Sequence, residues 1–135
     1  MKKQIFINLP VSDLKKSMDF YTQIGFSNNP QFTDETSACM VLSEEIFVML
    51  LTHEKFKLFT KKKIANTKKT ASVINSMAVE SNDAVNEFAT KALNAGGTES
   101  NEAKDLGFML QRSLEDLDGH NWEVFYMDLR KFPKQ

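Results

Sequence analysis

The stretch GFMLQRSLEDLDGHNWEVFYMD, Gly107 to Asp128, decides the fold. Its ends read as two strands, and between them Glu115-Asp116-Leu117-Asp118-Gly119 reads as a polar turn, with Asp118-Gly119 supplying the left-handed backbone position of a tight reversal. The second strand, His120 to Met127, carries one acid, Glu123, inside a Trp-Glu-Val-Phe-Tyr run. An ionised carboxylate there has to be exposed, paired or bound to something. At period two, Glu123, Phe125 and Met127 share one face, and Trp122, Val124 and Tyr126 the other.

Working outward, the hairpin closes the second of two similar segments. The first opens with a strand, Gln4 to Pro10, that places Ile7, Leu9 and Val11 on one face and Phe6 and Asn8 on the other. Ser12 or Asp13 then caps an amphipathic helix, Asp13 to Ile24, and Gly25 stops it. Strands are expected around Phe26 and Gln31–Thr33, over Ser37 to Ser43, and over Ile46 to Thr52. A short helical turn, Lys55 to Phe59, precedes a polar connector, residues 61–70, containing Lys61-Lys62-Lys63 and Lys68-Lys69. The order then repeats. Ala71 to Glu80 reads as a strand, Ser81 or Asn82 caps a helix through about Asn94, Gly96-Gly97 ends it, and a short strand near Thr98 to Asn101 leads into the hairpin. At an offset of 68, Leu9 falls on Met77, Val11 on Val79, Asp19 on Glu87, Phe20 on Phe88 and Thr22 on Thr90. These matches lie on the same strand and helix of each segment, which points to an internal duplication. The chain divides into a first βαβββ module, residues 1–60, the connector, and a second module, residues 71–130.

Composition sets the outer limits. A chain of 135 residues with 41% apolar and 26% charged residues suits one compact domain or two small modules. A net charge of −1 gives no overall attraction to nucleic acid or an anionic membrane, so neither is an expected partner. Asn8 interrupts Ile5-Phe6-Ile7 well short of the roughly seven apolar residues of a signal peptide, and no run approaches the roughly twenty of a membrane span. Cys39, the single cysteine, cannot form an internal disulfide, in keeping with a cytoplasmic location, and within Ala-Cys-Met-Val it reads as a buried filler. His53 and His120, each at a strand end, read as hydrogen-bonded structural residues, His120 bonding the turn or Asp118. The connector lysines read as a solvated linker.

The opening Ile-Phe-Ile-Asn-Leu-Pro-Val-Ser-Asp-Leu-Lys-Lys-Ser, Phe20-Tyr21, Gly25-Phe26 and the closing Glu-Asp-Leu-Asp-Gly-His-Asn-Trp-Glu resemble the vicinal-oxygen-chelate superfamily. Its members include glyoxalase I, the bleomycin- and fosfomycin-resistance proteins and the extradiol dioxygenases. With Pro30-Gln31-Phe32, the run from Phe47 to Phe56, and Gly107-Phe-Met, the chain looks especially like the bacterial group called predicted lactoylglutathione lyases. The resemblance implies an α+β fold of two tandem βαβββ modules forming a concave mixed sheet, and a homodimer. In metal-dependent members each module supplies one ligand from its first strand and one from its last. Carried over by the resemblance, those positions fall on Phe6, Leu50, Ile74 and Glu123, with Asn8, Ser76 and Thr52 reached by a slip of two. Three of the four are hydrocarbon, so no metal or other cofactor is expected; a divalent ion needs about three or four His, Cys or carboxylate ligands.

The expected site is therefore an apolar concave cleft lined by Phe6, Leu50, Ile74, Phe125 and Met127, with Glu123 at its base and Asn8 and Arg112 as polar anchors. Arg112 has two open uses: receiving a substrate anion, or an internal ion pair, with Glu123 the nearest candidate partner. Three functions fit. The first is metal-independent binding of a small molecule, similar to the drug-sequestering bleomycin-resistance type. The second is a lyase or isomerase in which Glu123 is the catalytic general base beside a carbonyl. The third is a non-catalytic dimerising module.

Overall fold

The computed structural model describes residues 1–132. They form two compact units, residues 1–66 and 67 onward, divided inside the lysine-rich segment. In the first unit β1 (Ile5–Val11) is followed by α1 (Leu14–Gln23), β2 (Ser27–Asn29), β3 (Ser37–Val41), β4 (Ile46–Thr52) and a one-turn helix α2 (His53–Phe56). The second runs β5 (Ile74–Ala78), α3 (Asn82–Asn94), two two-residue strands β6 (Thr98–Glu99) and β7 (Lys104–Asp105), β8 (Met109–Glu115) and β9 (Asn121–Met127).

Each unit holds one mixed sheet. The first has the order β1-β4-β3-β2, with β1 parallel to β4 and the remaining pairs antiparallel. The second has β5-β9-β8-β6, again with its first strand parallel to its last, and β7 joins β8. This is the α+β, βαβββ architecture expected from the sequence. A parallel pair between first and last strands requires a crossover, and in each unit the helix begins it.

Matching local signals start and stop those helices. Asp13 Oδ1 accepts the Lys16 amide at 3.0 Å and Ser81 Oγ accepts the Ala84 amide at 3.0 Å, caps worth about 1 kcal/mol each. At the other end, the Phe26 amide donates to the Tyr21 carbonyl at 2.9 Å and the Gly97 amide to the Ala92 carbonyl at 2.9 Å. These six-to-one bonds close around Gly25 and Gly96, both at positive φ. Asp13 and Ser81 are 68 positions apart, the offset of the repeat.

The helices set which face of each sheet is buried. In the first unit Val11, Met40, Val48 and Leu50 are essentially inaccessible, together with Phe20 and Tyr21 of α1. Tyr21 packs edge-on against Phe20 and Phe26 at 5.3 and 5.2 Å between ring centroids. In the second unit Val85, Phe88, Ala89 and Ala92 of α3 are buried with Leu114, Trp122 and Val124, and α3 packs on β8 and β9.

Two expectations are corrected. Gln31–Thr33 is not a strand: the strand is Ser27–Asn29, and Pro30–Phe32 is a 3-10 turn capped by Asn29, whose Oδ1 accepts the Gln31 amide at 3.0 Å. Pro30 has no amide hydrogen for a ladder and its fixed φ suits the first position of the turn. The strand after the connector is shorter than Ala71 to Glu80, covering Ile74–Ala78.

Candidate functional site

The closing hairpin forms as its residues dictate. Asp116 Oδ1 accepts the amides of Asp118 at 3.0 Å and His120 at 2.8 Å, and Gly119 takes φ +84°. Asp116, Asp118 and His120 are all buried. The turn is held by its own carboxylate, which fixes the register Ser113↔Glu123.

Along β5 the parallel register sets Ile74 against Asn121, Ser76 against Glu123 and Ala78 against Phe125. With Val124 and Trp122 buried beneath α3, alternation turns Glu123, Phe125 and Met127 to the open face. Glu123 is half-buried there, between Ser76 and Ser113, and its Oε1 accepts the Ser76 hydroxyl at 2.7 Å. Ile74, 60% exposed, shares this face, as do Phe125 and Gln111. Glu123, Ile74 and Phe125 thus come together on one sheet.

Arg112 does not join them. It is paired with Val124, on the helix side of β8. Its Nε and Nη2 donate to Glu99 Oε2 and Oε1 at 2.8 and 2.9 Å, and Nη1 donates to Asn86 Oδ1 of α3 at 3.1 Å. The internal ion pair therefore exists, but its acid is Glu99, because Glu123 points to the opposite side of the sheet. The guanidinium holds the Glu99 carboxyl below its ordinary value, chiefly through hydrogen bonding. A carboxyl depressed in the folded state contributes stability that is present above its unfolded pKa and lost as pH falls through the folded value. Glu99→Gln should cost about 1–3 kcal/mol at pH 7. The difference from wild type should shrink below pH ~4, which urea titrations at pH 7 and pH 3 would read.

In the first unit, Phe6 and Asn8 share the face away from α1, as their alternation required, and the register Phe6↔Phe47 and Asn8↔Met49 puts Phe47 and Met49 beside them. Phe6 and Phe47 stack at 4.4 Å and 7°. Leu50 lies elsewhere. It is paired with Leu9 and Ala38 and is wholly buried on the helix face. Comparing the pairs Asn8↔Met49 and Ser76↔Glu123, the first-unit counterpart of Glu123 is Met49, one residue from the position expected. A one-residue slip in a strand exchanges its two faces.

The open-face positions paired directly in register are Asn8 and Met49 in one unit, Ser76 and Glu123 in the other. As a donor set for a divalent metal they do not fit: an amide, a thioether, and a hydroxyl already donating to the lone carboxylate. Among the described residues no group of three or more His, Cys, Asp or Glu side chains is placed to hold a metal ion. Cys39 is 2% exposed and burial pushes its thiol up, which suits packing and disfavours the thiolate. No helix among the described residues is long and apolar enough to cross a membrane.

Residues 3–43 match the family model for the bleomycin resistance protein-like N-terminal region. No curated protein matches the chain closely enough to count as a relative. Among solved structures, the hypothetical protein SA1046 from S. aureus is similar at 25% identity and a TM-score of 0.79, covering 93% of this chain and 95% of that one. A glyoxalase/bleomycin resistance protein/dioxygenase family enzyme from Burkholderia phytofirmans is similar at 15% identity and 0.79, covering 93% and 99%. A glyoxalase-related enzyme from Fulvimarina pelagi follows at 18% and 0.78, covering 93% and 88%. The chain therefore shares its fold with solved structures described as glyoxalase/bleomycin resistance protein/dioxygenase family members, and residues 3–43 of its first unit carry the bleomycin resistance protein-like match.

Proposed function

We propose that this chain binds a small organic molecule without a metal ion, using Glu123 as the charged anchor beside the hydrocarbon of Ile74 and Phe125 on one sheet face, and that it does so as a cytoplasmic homodimer. The observation that carries the reading is the Ser76–Glu123 bond at 2.7 Å. A carboxylate on the open side of β9, oriented at one oxygen by a neutral hydroxyl, has no cationic partner taken from the protein in that bond. Ile74 and Phe125 beside it supply hydrocarbon. A few polar groups in an apolar surround are the usual composition of a small-molecule site.

An organic cation or a hydrogen-bond donor with an apolar body suits this face. Glu123→Gln should leave the melting temperature of the free protein nearly unchanged, since Glu123 is only half-buried. It should weaken binding of a cationic ligand by about tenfold or more, in line with the loss of a charged hydrogen bond. Thermal shift with benzamidine and related small amines on both proteins reads the difference. Equal shifts in the two would remove Glu123 from the site.

The same orientation favours a second reading, a lyase or isomerase in which Glu123 takes a proton from a carbon beside a carbonyl. Ser76 holds one carboxylate oxygen, and a base must be fixed within hydrogen-bond reach of the proton it abstracts. Exchange of α-protons for deuterium in small ketones, followed by NMR, tests it. Exchange that vanishes in Glu123→Gln supports the enzyme, and no exchange leaves binding alone.

A further inference from the structure

We propose that the turn after β4, residues 55–63, docks this protein on an anionic lipid bilayer, with two exposed apolar side chains entering the interface and the lysines among the phosphate headgroups. The turn belongs to the first unit, whereas Glu123 belongs to the second. Charge is unevenly distributed along the chain. Residues 55–63 read Lys-Phe-Lys-Leu-Phe-Thr-Lys-Lys-Lys, five lysines without an acid, and the next acid is Glu80. Taking those five charges from the chain's net of −1 leaves −6 for everything else. The expectation of no membrane partner rested on the net charge, which conceals this patch. A membrane surface responds to the charges within a Debye length of it, about 10 Å.

Backbone hydrogen bonds hold the turn in place. Helix α2 packs on β1 and β4, and Thr52 Oγ1 caps it by accepting the Lys55 amide at 3.2 Å. Beyond the helix, the Leu58 amide donates to the Lys55 carbonyl at 3.1 Å and the Phe59 amide to the Phe56 carbonyl at 3.0 Å. These bonds fix the backbone where two large apolar residues adjoin, yet Leu58 is 75% exposed and Phe59 67%. Lys55 Nζ stands 5.9 Å from the centroid of the Phe59 ring, a cation–π contact that keeps the ammonium beside the ring. Lys57, Lys61, Lys62 and Lys63 are exposed, and among the described residues none of the five lysines forms an ion pair.

An apolar pair held outward, with lysines before and after it, suits a surface that is hydrocarbon beneath and anionic above. Leu58 and Phe59 gain by entering the acyl boundary, while lysine stems lie along it and the ammonium groups stay with the phosphates. Nucleic acid is a poorer match. All five cations are lysine, without the guanidinium fork that grips phosphate or stacks on bases, and Leu58 has no ring for a base to stack on. A protein partner is also a poorer match, since lysine is depleted at protein interfaces.

Flotation of the full chain with lipid vesicles tests this, comparing phosphatidylcholine alone with phosphatidylcholine containing about 30% of the anionic lipid phosphatidylglycerol. The expected result is binding at least about tenfold tighter to the anionic vesicles, weakened about tenfold or more as salt rises from about 0.1 M to about 0.5 M. Lys61→Gln, Lys62→Gln and Lys63→Gln together should cost about a hundredfold, at about fivefold per lysine. Leu58→Ser with Phe59→Ser leaves the charge unchanged and should still cost about tenfold or more. All five substituted positions are exposed, so both variants should retain the wild-type circular dichroism spectrum. Equal binding to the two kinds of vesicle, binding to neither, or an affinity untouched by the serine pair would overturn lipid docking while leaving the Glu123 site in place. Tighter binding to a single-stranded oligonucleotide than to anionic vesicles would also overturn it, and would make the patch a nucleic-acid surface.

Discussion

Gly119→Ala should lower the free energy of unfolding by about 3 kcal/mol or more, the largest effect expected from adding one methyl group to this chain. Two costs combine. The backbone there has φ +84°, a region that L side chains rarely adopt, and a Cβ would sit 2.6 Å from the Thr67 carbonyl oxygen and 2.9 Å from Lys68 Cα. Those contacts are with backbone, which cannot rotate away. They are also with the segment that Thr67 fastens to the hairpin, its hydroxyl donating to the Asp118 carbonyl at 2.6 Å. Gly107 provides the control. It has the same φ, +84°, with nothing within 4 Å of an added Cβ, so Gly107→Ala should show the conformational cost alone, about 1 kcal/mol. Urea unfolding of the two variants separates strain from collision. Equal losses would mean that the close approach of Thr67 and Lys68 to the turn is not maintained in solution.

Leu50→Ala should cost about 2–5 kcal/mol, the range for a leucine removed from a packed interior. Leu50 is 0% exposed on the helix side of β4, aligned with Leu9 and Ala38. Its neighbour Met49 faces the other way and is only half-buried, so Met49→Ala should cost less. Chemical denaturation of both variants checks the assignment. If Leu50→Ala left stability intact and weakened ligand binding, Leu50 would line the site and the strand's facing would be reversed.

The difference between these two residues marks where the sequence stops being informative. The caps at Asp13 and Ser81, the helix-ending glycines and the Asp118-Gly119 reversal are each local, and each can be read because one residue type meets one backbone requirement. The division of β1 and β9 into two faces was equally legible, since Asn8 and Glu123 interrupt apolar neighbours at period two, while which face of β9 packs under a helix was left to the structure. Strand β4 is different: Ile46 to Leu51 is an unbroken apolar run. Both of its faces read alike, and a one-residue error in carrying over the repeat passes unnoticed until the pairing with β1 is known.

Arg112 was ambiguous for a related reason. Met109-Leu110-Gln111-Arg112-Ser113 lacks clean alternation, and its acid, Glu99, sits 13 positions away on a two-residue strand whose own pattern is too short to assign. Strand β7, also two residues long, gave no signal at all. The local chemistry of the turn at Pro30 was misread because a proline beside a strand-like run ends the ladder rather than continuing it.

Across the two units one physical contrast governs the function proposed. The open-face positions paired directly in register hold Asn8 and Met49 in one sheet, Ser76 and Glu123 in the other, a set suited to shape, hydrogen bonding and one negative charge. The most direct test is a ligand titration of chelator-stripped protein, with benzamidine as the probe, repeated with added nickel or zinc and with Glu123→Gln. The predicted result is binding of unchanged affinity with and without the ions, reduced in the variant. Binding that appears only when an ion is supplied, with the ion held stoichiometrically and lost in Glu123→Gln, would contradict it.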